Sequence, residues 1–174
     1  MNWHQLLRAE IETTFAVTDK LMARIRDESL DWKPSAENNW MTTGQLLKHL
    51  TEACGAACRG FITGDWGLPE GVKWEDLPPS EMLPPAEKLP AIGSVAEARR
   101  LLERDRILAL QMVDTCSEED LAEKITPAPW DPTPIVLGHR LLQMVDHLRQ
   151  HKGQLFYYLK LQGHPVDTGD LYGV

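Results

Sequence analysis

Four segments of this chain carry apolar residues at the spacing of an α-helix, and no segment shows a convincing strand pattern. The first runs from residue 3 to 27 and the second from 43 to 62, while the third opens at Ser94 and ends near Cys116 and the fourth runs from 135 to 161. Four such segments predict an all-α four-helix bundle. A chain of 174 residues is expected to form it as one domain, 1–174.

The connections between these segments are rich in proline. Six prolines, including two Pro-Pro pairs, lie between Pro69 and Pro90, which argues against regular secondary structure there. Residues 68–90 therefore predict a long crossover between helices two and three. Helix starts are also marked, because Thr42 or Thr43 can cap helix two with support from Gln45, and Ser94 can cap helix three.

Charge and cysteine content exclude several classes of protein. The formal net charge of −8 argues against nucleic-acid binding, which needs a basic surface. No apolar run reaches the roughly 20 residues that span a bilayer, and acidic residues near the N-terminus replace the apolar core of a signal peptide, so we expect a cytoplasmic protein away from membranes. Cys54, Cys58 and Cys116 are an odd number and are most simply buried thiols.

Two histidines one turn apart distinguish helix four. His147 and His151 project from the same face and lie within or beside the apolar arc of the helix, whereas His139 points to the opposite side. Imidazoles turned toward a bundle interior need polar partners, and one metal ion would satisfy both. The alternative is a pair of histidines that simply pack or face solvent.

His49 is the third candidate ligand, at the edge of the apolar arc of helix two. Small residues follow it at Ala53, Ala56 and Gly60, and they would leave space beside an ion. A close contact between two helices would explain the same small residues equally well. The sequence therefore predicts a metal site at His49, His147 and His151 without excluding plain packing.

These residues resemble the DinB-like, YfiT-related family of metal-dependent proteins. The resemblance is carried by residues 44–50 on helix two, residues 147–154 on helix four and the closing 161–163. It implies a bundle of up-down-down-up type, often a homodimer, with nickel, zinc or a similar ion on three histidines. Transferred to this sequence, those ligands are His49, His147 and His151, and Gly153-Gln154 matches the Gly-Gln of the family. The long 68–90 crossover departs from the family pattern.

The resemblance also implies a reaction, since several relatives are S-transferases or isomerases that depend on a low-molecular-weight thiol. Imidazole ligands suit zinc or nickel, and also iron, cobalt or copper. The alternative is a hydrolase that acts through metal-bound hydroxide, with Glu52 as a base one turn after His49. A non-catalytic metal-binding stress-response protein is a third interpretation. Glu52 is more simply explained as a solvated helix charge.

Three further residues invite a functional interpretation beside a structural one. Trp66 and Trp130 flank the two Pro-rich connections, where they would pack the bundle end or line a pocket. Arg140 lies two turns before His147 and would form a structural salt bridge or hold a ligand carboxylate.

Overall fold

The computed structural model describes residues 1–37, 39–82 and 84–174, without the side chains at 75, 79 and 80. Its α-helices are α1 (Trp3–Met22), α2 (Thr43–Leu50), α3 (Gly55–Thr63), α4 (Pro79–Met82), α5 (Val95–Thr115), α6 (Glu118–Glu123), α7 (Leu137–Leu161) and α8 (Thr168–Tyr172). The described residues contain no strand, only isolated bridges between Ile125 and Val136 and between Ala128 and Asp131. The prediction of an all-α fold is confirmed.

Surface ion pairs show that α1 and α5 run in opposite directions. Arg8, near the start of α1, bonds to Asp114 near the end of α5 at 2.5 Å. Asp19, near the end of α1, accepts from Arg99 near the start of α5 at 2.7 Å. The start of each helix therefore lies beside the end of the other, so α1 and α5 are antiparallel.

The remaining contacts complete the topology. A Cβ at Gly138 would lie 2.5 Å from the Trp3 ring, so α1 and α7 begin at the same end of the bundle and run parallel. The Tyr158 hydroxyl near the end of α7 donates to the carbonyl of Met41 just before α2 at 2.9 Å, so α2 and α7 are antiparallel. The order is therefore up-down-down-up. The four long helical segments of the bundle, called struts below, are α1, α2 together with α3, α5 and α7.

Helix starts follow the local capping signals in the sequence. Thr42 caps α2, since its hydroxyl accepts from the Gln45 N–H at 3.2 Å while the Gln45 side chain accepts from the Thr42 N–H at 2.8 Å. Ser94 accepts from the Glu97 N–H at 3.1 Å at the start of α5. These bonds satisfy N–H groups that have no partner within the helix.

The crossover after α3 contains short helical turns, contrary to the expectation of none. Besides α4 there are 3₁₀ turns at Trp74–Asp76 and Ala86–Lys88. Proline is tolerated at the first position of a helix, where its missing N–H costs nothing, so α4 can begin at Pro79, and Pro85 directly precedes the turn at Ala86–Lys88. The Gln45 amide donates to the carbonyls of Ala86 and Leu89 at 3.1 and 2.7 Å and holds the crossover against α2. Leu83 lies outside the described residues.

Apolar side chains from the four struts meet in one core. Fully buried members include Leu7 and Ile11 of α1, Leu46 and Leu50 of α2, Leu102 and Ala109 of α5, and Leu141, Leu148 and Leu155 of α7. Hydrophobic burial on this scale is the main stabilising contribution in a domain of this size. No helix in the described part of the chain is both long and apolar enough to cross a membrane.

Aromatic rings join the two Pro-rich connections to α3. Trp66 packs edge-on against Phe61, Trp74 and Trp130, with ring centroids 4.9, 5.8 and 5.6 Å away. Trp66 also lines an open pocket of about 530 Å³ together with Phe61 and Trp74. Trp130 packs against the Trp66 ring. Both tryptophans therefore pack this end of the bundle.

Candidate metal centre

The three predicted histidines come from two elements on facing sides of the bundle. His49 lies one residue before the end of α2, while His147 and His151 lie one turn apart on α7. Because α2 and α7 are antiparallel neighbours, their inward faces meet at this level. All three rings are partly exposed, so the cluster is accessible from solvent.

The Nε2 atom of His147 lies close to the Nε2 atoms of both other histidines. His147 Nε2 lies 3.2 Å from His49 Nε2 and 3.1 Å from His151 Nε2. One ring nitrogen from each residue lies within 4.8 Å of the others. Nitrogens bound to one tetrahedral zinc at 2.0–2.1 Å are roughly 3.3–3.4 Å apart, so the first two separations are close to those between ligands.

The proton on His147 is assigned by its second hydrogen bond. Its Nδ1 lies 3.1 Å from the backbone carbonyl of Ala53. A carbonyl oxygen can only accept, so Nδ1 carries the hydrogen. In the neutral ring, Nε2 of His147 is then a bare lone pair directed toward the other two histidines.

A chain of three hydrogen bonds assigns the proton on His151 in the same way. The Tyr158 hydroxyl donates to the Met41 carbonyl at 2.9 Å, so its oxygen accepts from Gln154 Nε2 at 3.1 Å. The Gln154 Oε1 atom is then directed at His151 Nδ1, 3.0 Å away, and accepts its hydrogen. His151 Nε2 is therefore also a lone pair.

The two lone pairs face each other across 3.1 Å, where no hydrogen bond can join them. Two acceptors at this separation repel unless a cation lies between them. His49 Nε2 is placed to contribute a third nitrogen to the same cation. The donor set therefore fits a divalent metal ion, and its outer bonds are those that commonly orient metal-binding imidazoles.

Burial keeps all three rings neutral at physiological pH. It lowers the pKa of His49 to about 4, with additional repulsion from His151 and His147. Burial also lowers the pKa of His147 and of His151, although the bonds to Ala53 and Gln154 act in the opposite direction. Neutral imidazole is the form that binds metals, so protons compete little for these nitrogens near pH 7.

Residues 10–155 match the sequence model of the DinB superfamily. The chain belongs to the DinB superfamily. A crystal structure of a conserved protein from Enterococcus faecalis has the same fold, with a TM-score of 0.65 and 19% sequence identity over 92% of this chain and 97% of that one. No curated protein sequence matches significantly. The resemblance inferred from the histidine segments is confirmed.

The second strut of this DinB protein is broken, whereas the sequence predicts one helix from 43 to 62. The chain leaves helical geometry after Leu50 and resumes it at Gly55. In a continuous helix Ala56 would follow His49 by two turns on the same face. Instead Ala56 lines a pocket between α3 and α5 with Asp105, and a Cβ at Gly60 would lie 2.2 Å from the Trp66 ring.

The residue predicted as a base in the hydrolase alternative, Glu52, lies in this break. Its backbone N–H donates to the His49 carbonyl at 3.1 Å. Its carboxylate pairs with Lys48, and the Glu52 side chain is 56% exposed. The Glu52 carboxylate is therefore an exposed group that is already paired with Lys48.

Sequence reasoning identified the three histidines but not what holds them. The Ala53 carbonyl carries no side-chain signal, and Tyr158 and Met41 are 117 positions apart in the chain. Gln154 had a usable signal, because it follows His151 by three residues and so lies on the same helical face. The family motif includes Gln154 but does not indicate what its side chain does.

Other residues considered above have structural roles. Arg140 is almost fully buried and bonds to Asp131 at 3.0 Å and to the Thr133 carbonyl at 2.8 Å, so it anchors the second Pro-rich connection. His139 is exposed on α7, as expected. Cys54 and Cys58 are fully buried free thiols, and Cys116 is partly buried.

Proposed function

We propose that this DinB protein is a metal-dependent enzyme that holds one divalent ion on Nε2 of His49, His147 and His151. The facing lone pairs of His147 and His151 carry the proposal, because a shared cation relieves their repulsion. Imidazole nitrogens suit zinc and nickel, which we expect first, and also iron, cobalt and copper. The family membership and the three-histidine cluster both support metal binding.

The reaction that we propose is transfer of a low-molecular-weight thiol to an electrophile. Three neutral imidazoles leave the charge of the ion uncancelled, which favours an anionic further ligand, and a bound ion holds a thiol as its thiolate. The partly exposed rings leave the cluster within reach of a small thiol. The sulfur forms the new bond to carbon, the thiol proton goes to solvent, and the leaving group departs with its electron pair.

Hydrolysis through bound hydroxide is the second candidate, and it uses the same ion with Glu52 as the base. Glu52 would first have to leave Lys48, since the two side chains are ion-paired. Because this ion pair already occupies the proposed base, we place thiol transfer before hydrolysis. A non-catalytic metal-binding stress-response role would retain the ion and show neither activity.

Metal analysis of purified variants tests the site. Wild type should bind one divalent ion per chain, and His147→Ala should lose stoichiometric binding because it removes the central nitrogen. His139→Ala changes an exposed histidine on the same helix and should bind like wild type. Equal metal content in His147→Ala and His139→Ala would contradict the proposal.

Cobalt substitution distinguishes the two reactions. Addition of a thiol should produce a sulfur-to-cobalt charge-transfer band in wild type and none in His147→Ala, and turnover should require the thiol. Ester hydrolysis without thiol that falls in Glu52→Gln but survives in Lys48→Gln would favour the hydrolase. Metal binding with neither activity would favour the non-catalytic role.

We also propose that the protein forms a homodimer, as the resemblance implies. Light scattering at micromolar concentration should give twice the chain mass of 19.7 kDa. A mass of one chain would remove this proposal.

A further inference from the structure

A carboxylate from another helix occupies the break between α2 and α3. Asp105 of α5 accepts hydrogen bonds from three consecutive backbone N–H groups: Oδ2 takes those of Cys54 at 3.3 Å and Gly55 at 2.8 Å, and Oδ1 takes that of Ala56 at 2.8 Å. The first turn of α3 is thus capped by a residue about 50 positions away in the chain. A carboxylate is well suited to this place, because helix N-termini attract negative charge.

These three bonds replace those that would continue α2. In an unbroken helix the N–H groups at 54, 55 and 56 would donate to the carbonyls at 50, 51 and 52. With Asp105 as the acceptor, the chain turns out of helical geometry between Leu50 and Gly55. The cap from α5 therefore stabilises the break itself.

The break is what presents a carbonyl to the metal centre. In a continuous helix the Ala53 carbonyl would accept the N–H of Ala57. Here it lies 3.1 Å from His147 Nδ1 and accepts the ring hydrogen, which leaves Nε2 of His147 free to bind a metal. The geometry of the break and the tautomer of a ligand are thus connected through one peptide group.

Both sides of the Asp105 contact are fitted closely. Asp105 is 4% exposed although it carries a carboxylate, and burial raises its pKa to about 6 against the opposing effect of its three backbone bonds. A Cβ at Gly55 would lie 2.2 Å from the Asp105 carbonyl and 2.8 Å from Oδ1. Only glycine permits this approach of α3 to α5.

We propose that Asp105 is a positioning residue for the metal centre: by capping α3 from α5 it holds the Ala53 carbonyl against His147 and so fixes the tautomer and orientation of this ligand. Asp105 bonds to the backbone N–H groups of residues 54 to 56, so it acts on His147 through the backbone. The proposal rests on the proposed metal site for its affinity measurement, whereas the tautomer of His147 is measured on the metal-free protein.

Asp105→Ala is the direct test, with Leu102→Ala as its control. Leu102 is a buried core residue on the same helix, so its truncation lowers stability while the Asp105 carboxylate is retained. In Asp105→Ala we expect the Kd for zinc to rise about tenfold, the lower end of the effect of outer ligand contacts. Nitrogen NMR of the metal-free protein should show His147 with its hydrogen on Nδ1 in wild type and Leu102→Ala, and a mixture of tautomers in Asp105→Ala.

Two further variants keep the test decisive if Asp105→Ala fails to fold. Asp105→Asn has the same size and one acceptor oxygen, and should raise Kd by less than Asp105→Ala does. Gly55→Ala pushes α3 away from α5 while Asp105 is retained, and should reproduce the mixed tautomers of His147.

The outcomes separate the two proposals. Wild-type affinity and the wild-type tautomer in Asp105→Asn and Gly55→Ala, despite a lowered melting temperature, would make Asp105 a structural cap and overturn the inference. Absence of zinc binding by wild type would overturn the proposed function, and the tautomer comparison would still decide the role of Asp105.

Discussion

At the scale of single residues, the centre depends on which nitrogen of each imidazole carries hydrogen. The Ala53 carbonyl and the Gln154 amide each take the hydrogen of Nδ1 from a ring on α7. Both Nε2 atoms are thereby directed inward as lone pairs before any ion arrives. This preorganisation predicts how binding responds to a change in an outer contact and to pH.

Gln154→Leu should weaken metal binding without unfolding the bundle. It removes the acceptor for His151 Nδ1 and the donor to Tyr158, so His151 loses its preferred tautomer. Loss of such an outer contact typically costs about 10–100-fold in affinity. Zinc titration of Gln154→Leu against Gln150→Leu, an exposed glutamine on the same helix, measures the effect. Identical Kd values for both variants would contradict a role for the Gln154 amide.

The lowered pKa values predict a nearly constant affinity from pH 8 to about 6.5. A histidine with a lowered pKa stays neutral to a lower pH, so protons begin to displace the metal only below its pKa, which for His49 is about 4. Three ordinary histidines would already compete near pH 6.5. Competition titrations across this range check the sign, and a loss of roughly eightfold between pH 8 and 6.5, as three half-protonated rings would give, would show that the rings are not shielded.

At the scale of elements, a buried side chain of α7 holds the second Pro-rich connection in place. Arg140 is 2% exposed and donates to the Thr126 carbonyl, Asp131, the Thr133 carbonyl and Gln143 at 2.8–3.1 Å. One side chain of α7 thus satisfies two backbone carbonyls and one carboxylate of the second Pro-rich connection. Burial of a cation is tolerated because every one of these contacts is made.

Arg140→Met should therefore destabilise the fold by about 3 kcal/mol, since it leaves several acceptors without their donor. The same substitution at Arg106, whose pairs with Glu12 and Glu103 lie at the surface, should cost less than about 1 kcal/mol. Urea unfolding of the two variants gives the comparison. Equal losses would mean that the buried contacts of Arg140 contribute no more than surface pairs.

The helix starts could be predicted locally, but the break could not. Thr42 and Ser94 are followed three residues later by Gln45 and Glu97, so the capping pattern is visible in the sequence. The break after Leu50 depends instead on a carboxylate from α5. The residues around position 50 do not predict the break. Helical propensity depends on neighbouring residues, and here an acceptor from a distant part of the chain overrides that propensity.

At the scale of the whole molecule, the bundle core is distinct from the metal centre. The buried leucines of α1, α2, α5 and α7 pack against one another, while the three histidines lie at a partly exposed position on α2 and α7. A core of this kind does not need an ion to bury its apolar surface.

Chelation should consequently leave the helices intact. With free metal at about 100 times its Kd, removal of the ion costs roughly 2.7 kcal/mol, which corresponds to about 5–10 °C in melting temperature for a chain of this length. Circular dichroism at room temperature should be unchanged by a chelator. Loss of the helical signal would show that the ion is part of the folding core.

The sequence by itself determined the all-α class, the four struts and the candidate ligands, because helical spacing and caps are set by neighbouring residues. It placed His147 and His151 on one face, since i and i+4 coincide on a helix. Only the tertiary structure decided the break in the second strut, the carbonyl that orients His147 and the Met41–Tyr158–Gln154 chain behind His151. These depend on groups that are far apart in the chain and meet only when the helices pack, so no local pattern encodes them.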